Sequence, residues 1–204
     1  RMDRIEIDEI EEKRDMGYFK RIVYLVLGTF LLAFGIVLTM KANIGFAPWD
    51  VFHWGVAKVT GTTVGFVSIV TGLIICVIVA ILGEKLGLGT IVNMVTIGLY
   101  IDLLLYRDLI PEMHSFVPGL FMLITGLFVI AFATFLYISS AFGAGPRDSL
   151  MVALERVTKR PVGLCRGSIE VAVCLIGWIL GGQVGVGTLI SALGIGVCVQ
   201  IVFS

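Results

Sequence analysis

Residues 45–50 read Gly45-Phe-Ala-Pro48-Trp49-Asp50, and residues 143–148 read Gly143-Ala-Gly-Pro146-Arg147-Asp148. The two stretches are 98 positions apart, and the same offset relates residues 25–105 to residues 123–203 without a gap. The glycines at positions 28, 65, 83, 87, 89 and 98, for example, recur at 126, 163, 181, 185, 187 and 196. Repetition at a fixed offset is the sequence signature of a fold built from similar units. The chain is therefore predicted to contain two repeats of one supersecondary unit.

Both repeats are strongly apolar. Hydrophobic residues make up 58% of the chain and charged residues 15%, with a mean hydropathy of +1.03, which excludes an ordinary water-soluble domain. Apolar segments that reach most of the way across a hydrocarbon core of about 30 Å lie at 22–42, 64–83, 90–106, 117–140, 162–181 and 188–204. The sequence predicts an all-α integral membrane protein with six transmembrane helices.

Three spans in each repeat is an odd number, so the second repeat enters the membrane from the side opposite to the first. Such inverted-topology repeats are found in many secondary transporters. We expect one membrane domain, with repeat 1 at 22–107 and repeat 2 at 117–204. A charged segment at 1–21, in which acidic and basic residues alternate around isoleucines, precedes it and suits a helix on the cytoplasmic surface.

The basic residues predict the orientation. With the N-terminus inside, twelve of the fifteen Lys and Arg residues lie on the cytoplasmic side, and only Lys41, Lys58 and Arg107 lie outside. An excess of Lys and Arg in cytoplasmic segments is the usual determinant of topology. The N-terminus and the turn at Lys159 and Arg160 are therefore expected in the cytoplasm.

The repeated proline motif predicts a short helix after the first span of each repeat. Proline suits the first turn of a helix, and an acidic residue two positions later complements the helix dipole. We expect helices from about Pro48 to Thr60 and from about Pro146 to Thr158, which are too short to span and are either interfacial or re-entrant. The expected helix starts and bends are at Gly45, Pro48, Gly143, Gly145 and Pro146.

Two interpretations of this motif remain open. In the first, Asp50 and Asp148 only cap their helices. In the second, the two helix N-termini face each other near the midplane and bind a polar solute. Trp49 in one repeat corresponds to Arg147 in the other, and an aromatic ring opposite a cation would suit a solute with an apolar part and a negative group. Arg147 would otherwise only follow the positive-inside rule.

Polar residues inside the predicted spans extend the candidate site because they are costly in a bilayer. Arg166 and Glu170 stand four apart on one helix and are expected to pair with each other, and a coupling role for Glu170 is the alternative. His53 beside Trp54 is typical of an interfacial anchor, but it is also a candidate ligand. The candidate substrate-binding residues are Trp49, Asp50, His53, Asn93, Arg147, Asp148, Arg166 and Glu170.

Several other classes of function lack support in the sequence. The four cysteines lie in predicted spans without metal-ligand spacing, so we expect free thiols and no metal or cofactor. No nucleophile, base and orienting acid occur together, which argues against an enzyme. Nothing in the charge pattern suggests nucleic-acid binding.

The repeated proline motif, together with the turn Gly83-Glu-Lys-Leu-Gly87-Leu-Gly89-Thr90, resembles the bacterial YczE/YyaS/YitT group of small multispan membrane proteins over residues 20–204. The resemblance implies a protein of the bacterial cytoplasmic membrane with six spans. It supplies neither a substrate nor a catalytic residue.

From the residues we expect a secondary transporter or permease for a small polar, potentially anionic solute bound between the repeats. A substrate-capture subunit of a larger transporter, or an accessory membrane protein without transport activity, is the alternative. The expected partners are the solute and the lipid bilayer, and a homodimer or a partner membrane subunit is compatible with the sequence.

Overall fold

The computed structural model of the protein describes residues 17–84, 87–142 and 145–203. Within these ranges the chain forms eight α-helices and no strand. Most of the charged segment at 1–21 and the expected hinge residue Gly143 lie outside the described residues. The helices are α1 (Tyr18–Lys41), α2 (Pro48–Thr60), α3 (Val64–Ile81), α4 (Leu88–Arg107), α5 (Phe116–Ser139), α6 (Pro146–Thr158), α7 (Val162–Ile179) and α8 (Val186–Phe203).

Four of the helices, α1, α3, α4 and α5, are long and apolar enough to cross a membrane. Helices α6 and α7 meet the same criterion only as a pair bent by 119°, and α8 is apolar but shorter. The described ranges thus hold four or five candidate spans. Helices do occur at all six positions where the sequence predicts apolar segments.

The first long helices of the two repeats, α1 and α5, pack along each other through glycine. A Cβ added at Gly28 would lie 2.8 Å from the backbone nitrogen of Tyr137, and one at Gly126 would lie 2.7 Å from the Thr39 methyl carbon. Small residues allow such close approach of apolar helices. The two contacts are repeat equivalents, since Gly28 corresponds to Gly126 and Thr39 to Tyr137.

The two short helices have the predicted bounds. Helix α2 starts at Pro48 and is followed by Gly61 with φ +67°, while α6 starts at Pro146 and is followed by Lys159, also left-handed. The bend expected at Gly45 is present, with φ +116°, a conformation that favours glycine.

Each short helix rests on a long helix of the other repeat. Helix α2 packs on α7, and its equivalent α6 packs on α3. Gly177 of α7 lies against the backbone of Phe52 in α2, where a Cβ would come within 2.5 Å. In the equivalent contact of α6 with α3, the apolar side chains of Val79 and Leu150 pack together instead.

Reciprocal hydrogen bonds join the segments that precede the short helices to the other repeat. The N–H of Gly187 donates to the carbonyl of Ile44 at 2.7 Å, and the N–H of Gly89 donates to the carbonyl of Phe142 at 3.1 Å. The offset of 98 converts one bond into the other. These bonds bring the start of each short helix next to the start of α4 or α8.

Candidate functional site

A cavity of about 460 Å³ lies between the repeats and is lined by residues of all eight helices. This volume falls within the usual range of small-molecule sites. Most of the lining residues come as repeat equivalents, such as Asp50 with Asp148 and Asn93 with Ser191. All of the candidate binding residues from the sequence line this one cavity: Trp49, Asp50, His53, Asn93, Arg147, Asp148, Arg166 and Glu170.

The N-termini of both short helices contribute to the cavity wall. Helix α2 supplies Pro48 and Asp50 from its first turn, and α6 supplies Pro146 and Asp148. Gly145, an expected hinge residue, precedes α6 and also lines the cavity. The N-terminus of a helix carries the positive end of the helix dipole. Two such ends therefore face the same cavity.

Trp49 and Arg147 contact each other across the two repeats. The guanidinium carbon of Arg147 lies 4.8 Å from the centroid of the Trp49 ring, which is the geometry of a cation–π interaction. From the sequence, these residues are expected on opposite sides of a bound solute. The two side chains instead stack directly on one another.

Acidic groups surround this cation. The carboxylates of Asp50, Asp148 and Glu170 all interact electrostatically with Arg147. Asp148 also accepts a hydrogen bond of 2.5 Å from the Tyr137 hydroxyl, so its carboxylate does more than complement the dipole of α6.

The expected pairing of Arg166 with Glu170 is confirmed. Nε of Arg166 lies 2.8 Å from Oε1 of Glu170, one turn apart on α7. The Arg166 side chain is 45% exposed and that of Glu170 is 14% exposed. The pair therefore lies on the cavity wall at a place where α7 is open to its surroundings.

Three buried polar side chains on the cavity wall have no hydrogen-bond partner among the described residues. They are His53 at both ring nitrogens, Asn93 at Nδ2 and Ser191 at Oγ. Leaving a buried polar group unsatisfied costs on the order of 1–3 kcal/mol. A bound molecule that supplied these hydrogen bonds would therefore be stabilised by groups already in place.

The structure corrects the interpretation of His53 as an interfacial anchor. Only 1% of His53 is exposed, and its Nδ1 lies 3.8 Å from Oδ1 of Asp50. The packing of α2 on α7 turns this face of α2 inward. Its neighbour Trp54 is 37% exposed and packs edge-on against Phe46, so the two adjacent residues face different environments.

Five further polar residues of the wall are not among the candidates from the sequence: Ser68, Thr71, Thr134, Tyr137 and Ser191. Ser191 is the repeat equivalent of Asn93, and that equivalence is the signal that could have added it. Tyr137 corresponds to Thr39 and lies in an apolar span, where a buried hydroxyl needs a partner. A search for polar atoms inside α5 would have identified it.

Asp102 and the four cysteines are not among the residues that line the cavity. Asp102, near the end of α4, accepts hydrogen bonds from the Thr63 hydroxyl and the Gly65 N–H. The cysteines Cys76, Cys165, Cys174 and Cys198 are free, as expected, and Cys174 is only partly buried. Within the described ranges no three His, Cys, Asp or Glu residues are grouped so that they could hold a metal ion.

Residues 19–204 match the model of a family of unknown function, DUF6198. An uncharacterized protein of Haemophilus influenzae is 35% identical over 89% of this chain and 83% of its own length. The uncharacterized membrane protein YczE of Bacillus subtilis is 31% identical over 85% of this chain and 80% of its own length. The uncharacterized protein YyaS of the same organism is 30% identical over 83% of this chain and 85% of its own length. No solved structure matches.

Proposed function

The chain belongs to this YczE/YyaS-type family of membrane proteins of unknown function, and we propose that it is a secondary transporter for a small polar solute. The proposed binding site is the cavity between the repeats. The proposed setting is the bacterial cytoplasmic membrane, with the N-terminus in the cytoplasm. Transport requires no bond to break in the solute, so no residue is assigned a catalytic role.

One observation carries the proposal. His53, Asn93 and Ser191 are buried and line a cavity that also receives the starts of α2 and α6. Both ring nitrogens of His53, Nδ2 of Asn93 and Oγ of Ser191 lack hydrogen-bond partners among the described residues. Unpaired polar atoms and two helix N-termini in one cavity favour a polar ligand. In many secondary transporters the solute binds in the same way, at the ends of short helices between two repeats.

Paired contacts support the proposal of six spans in two inverted repeats. The contacts of α1 with α5, the packing of each short helix on the other repeat, and the two Gly–carbonyl hydrogen bonds each occur as equivalents at the offset of 98. Reciprocal contacts of this kind are what a two-fold axis between two units produces. With an odd number of spans in each repeat, that axis would lie in the membrane plane.

The charges of the cavity bear on the solute. Three carboxylates and two guanidinium groups line the wall, which leaves an excess of one negative charge when His53 is neutral. Both guanidinium groups already have partners: Arg166 pairs with Glu170, and Arg147 stacks on Trp49 among acidic groups. Because the two helix N-termini add about half a positive charge each, the wall is close to neutral and favours a neutral polar solute over the anionic one that the sequence suggests.

A binding screen tests this site. The purified protein in detergent is heated with a library of small polar metabolites, since a ligand that binds only the folded form raises its apparent stability. For each stabilising compound, we expect Asn93→Ala to reduce the shift and Glu112→Gln, a change at an exposed loop residue, to leave it unchanged. Equal shifts in both variants for every compound would place binding outside the cavity.

A further inference from the structure

Among the described residues, one helix contact of the first repeat has no equivalent in the second. Helices α3 and α4 pack along each other, whereas α7 and α8, their repeat equivalents, do not. The α3–α4 contact passes through Gly65 and Gly98, where a Cβ on Gly65 would overlap the Gly98 carbonyl oxygen. Their equivalents are Gly163 and Gly196. Among the described residues, no atom lies within 4 Å of a Cβ built on either.

We call α3 and α4 the closed pair and α7 and α8 the open pair. The sequence of the open pair is nevertheless suited to close packing. Gly163 and Gly167 stand four apart on α7, and Ala192 and Gly196 stand four apart on α8. Small residues with this spacing allow apolar helices to approach closely. In the closed pair, Gly72 of α3 receives the side chain of Met94. The equivalents in the open pair are Glu170 on α7 and Ala192 on α8, so the large and the small residue have changed helices. Contact between α7 and α8 would therefore again bring a large residue opposite a small one.

The closed pair is held by a polar contact that the open pair lacks. Asp102 of α4 accepts hydrogen bonds from the Thr63 hydroxyl at 2.5 Å and from the Gly65 N–H at 2.7 Å. These bonds join the end of α4 to the start of α3. The equivalent positions hold Gln200 and Pro161, and proline offers no hydroxyl donor.

The parts of the cavity wall on α3 and on α7 also differ in exposure. On α3, Gly72 is buried and Ser68 is partly buried. Their equivalents on α7 are Glu170 and Arg166, and the Arg166 side chain is 45% exposed. The cavity is therefore covered on the α3–α4 side and accessible on the α7–α8 side.

We propose that the protein has a second conformation in which α7 and α8 meet through Gly163 and Gly196 while α3 and α4 separate. This exchange would open the cavity on one side and close it on the other. In the described state, the hydrogen bonds of Asp102 hold α3 and α4 together. The inference rests on the proposed transport function, because alternate access to one site is what transport requires.

Distances between spin labels test the exchange without any solute. The four native cysteines are replaced by serine, and labels are attached to Leu164→Cys and Val197→Cys across the open pair. Phe66→Cys and Leu99→Cys are the repeat-equivalent positions across the closed pair. All four residues are exposed, so the labels do not disturb packing. The protein is measured in lipid nanodiscs by double electron–electron resonance.

Asp102→Asn should change both distances in opposite directions. We expect a population in which the 66–99 distance lengthens and the 164–197 distance shortens to the value of the closed pair. The expected increase of that population is roughly tenfold, as follows from weakening a hydrogen bond to a charged group. Gln200→Ala, at the equivalent position, should leave both distances unchanged. Gly196→Leu should fill the gap and keep the 164–197 distance long even together with Asp102→Asn.

Two results would overturn the proposal. In one, Asp102→Asn lengthens the 66–99 distance while the 164–197 distance stays fixed, which would indicate local loosening only. In the other, neither distance changes although Asp102→Asn removes the charge that strengthens these hydrogen bonds. Because the measurement contains no solute, its outcome is separate from that of the transport assay: coupled distances without solute flux would retain this inference and refute transport.

Discussion

The contact between Arg147 and Trp49 links the starts of the two short helices, and its removal is a quantitative test of the site. Stacking of a guanidinium on an aromatic ring contributes about 0.5–2 kcal/mol, with the larger value in a desolvated place. Trp49 is only 8% exposed, so we expect the upper part of this range. Arg147→Gln also leaves three carboxylates with less compensation. Removing one partner of a fully buried pair costs about 3–5 kcal/mol, and Arg147 is only partly buried.

We therefore expect Arg147→Gln to lower the free energy of unfolding by about 2–4 kcal/mol, between the cation–π term and the fully buried limit. Arg147→Lys should cost less because it keeps the charge but loses the planar group. Trp49→Phe should be milder than Trp49→Leu because a ring face remains. A double-mutant cycle of Arg147→Gln with Trp49→Leu isolates the contact itself.

The assay is reversible unfolding in mixed micelles with increasing dodecyl sulfate, followed by tryptophan fluorescence and circular dichroism. The predicted coupling energy is about 1–2 kcal/mol. Independent, additive effects of the two substitutions would refute the contact. An Arg147→Gln variant as stable as the unchanged protein would indicate that Arg147 acts only as a positive charge that sets the topology.

Three further outcomes are expected. Tyr137→Phe removes the hydrogen bond to Asp148, and in the same assay it should lower the free energy of unfolding by about 1.5–3 kcal/mol, the value for a bond to a charged group. Tyr106→Phe, at an exposed tyrosine, should leave the free energy of unfolding unchanged. Gly65→Ala should destabilise the protein because its Cβ meets the Gly98 carbonyl, whereas Gly163→Ala meets open space and should be neutral or stabilising by up to about 1 kcal/mol; the reverse order would contradict the helix packing. A single cysteine at Lys58→Cys should react with an impermeant reagent from outside, and one at Lys159→Cys should react only after the membrane is opened, while equal labelling of both from one side would contradict inverted repeats.

Much of the fold follows from local chemistry that the sequence displays. Proline at the first turn and Gly61 at the end bound α2, and both signals act within a few residues. The repeat offset then places an equivalent helix at Pro146. The same offset relates Asp50 to Asp148, and both line one cavity because each short helix packs on the other repeat.

What the sequence does not display are contacts decided by packing between distant helices. His53 reads as an anchor because its neighbour Trp54 suits the interface, and only the packing of α2 on α7 makes it a buried residue. The direct stacking of Arg147 on Trp49 depends on how the two repeats position these side chains in the cavity. The open gap between α7 and α8 is least predictable, since Gly163 and Gly196 repeat the glycines that touch in α3 and α4. One sequence is compatible with both arrangements.

Solute flux into liposomes that contain only the purified chain tests the central claim most directly. The solute is the compound that stabilises the protein most in the binding screen, and it is supplied in labelled form outside the vesicles. The proposal predicts saturable uptake that falls at least about tenfold in Asn93→Ala, the effect of losing one useful hydrogen bond to the solute, and that stays unchanged in Glu112→Gln. Tight binding of the solute without uptake in well-folded protein would contradict a transporter and would indicate a substrate-capture subunit instead.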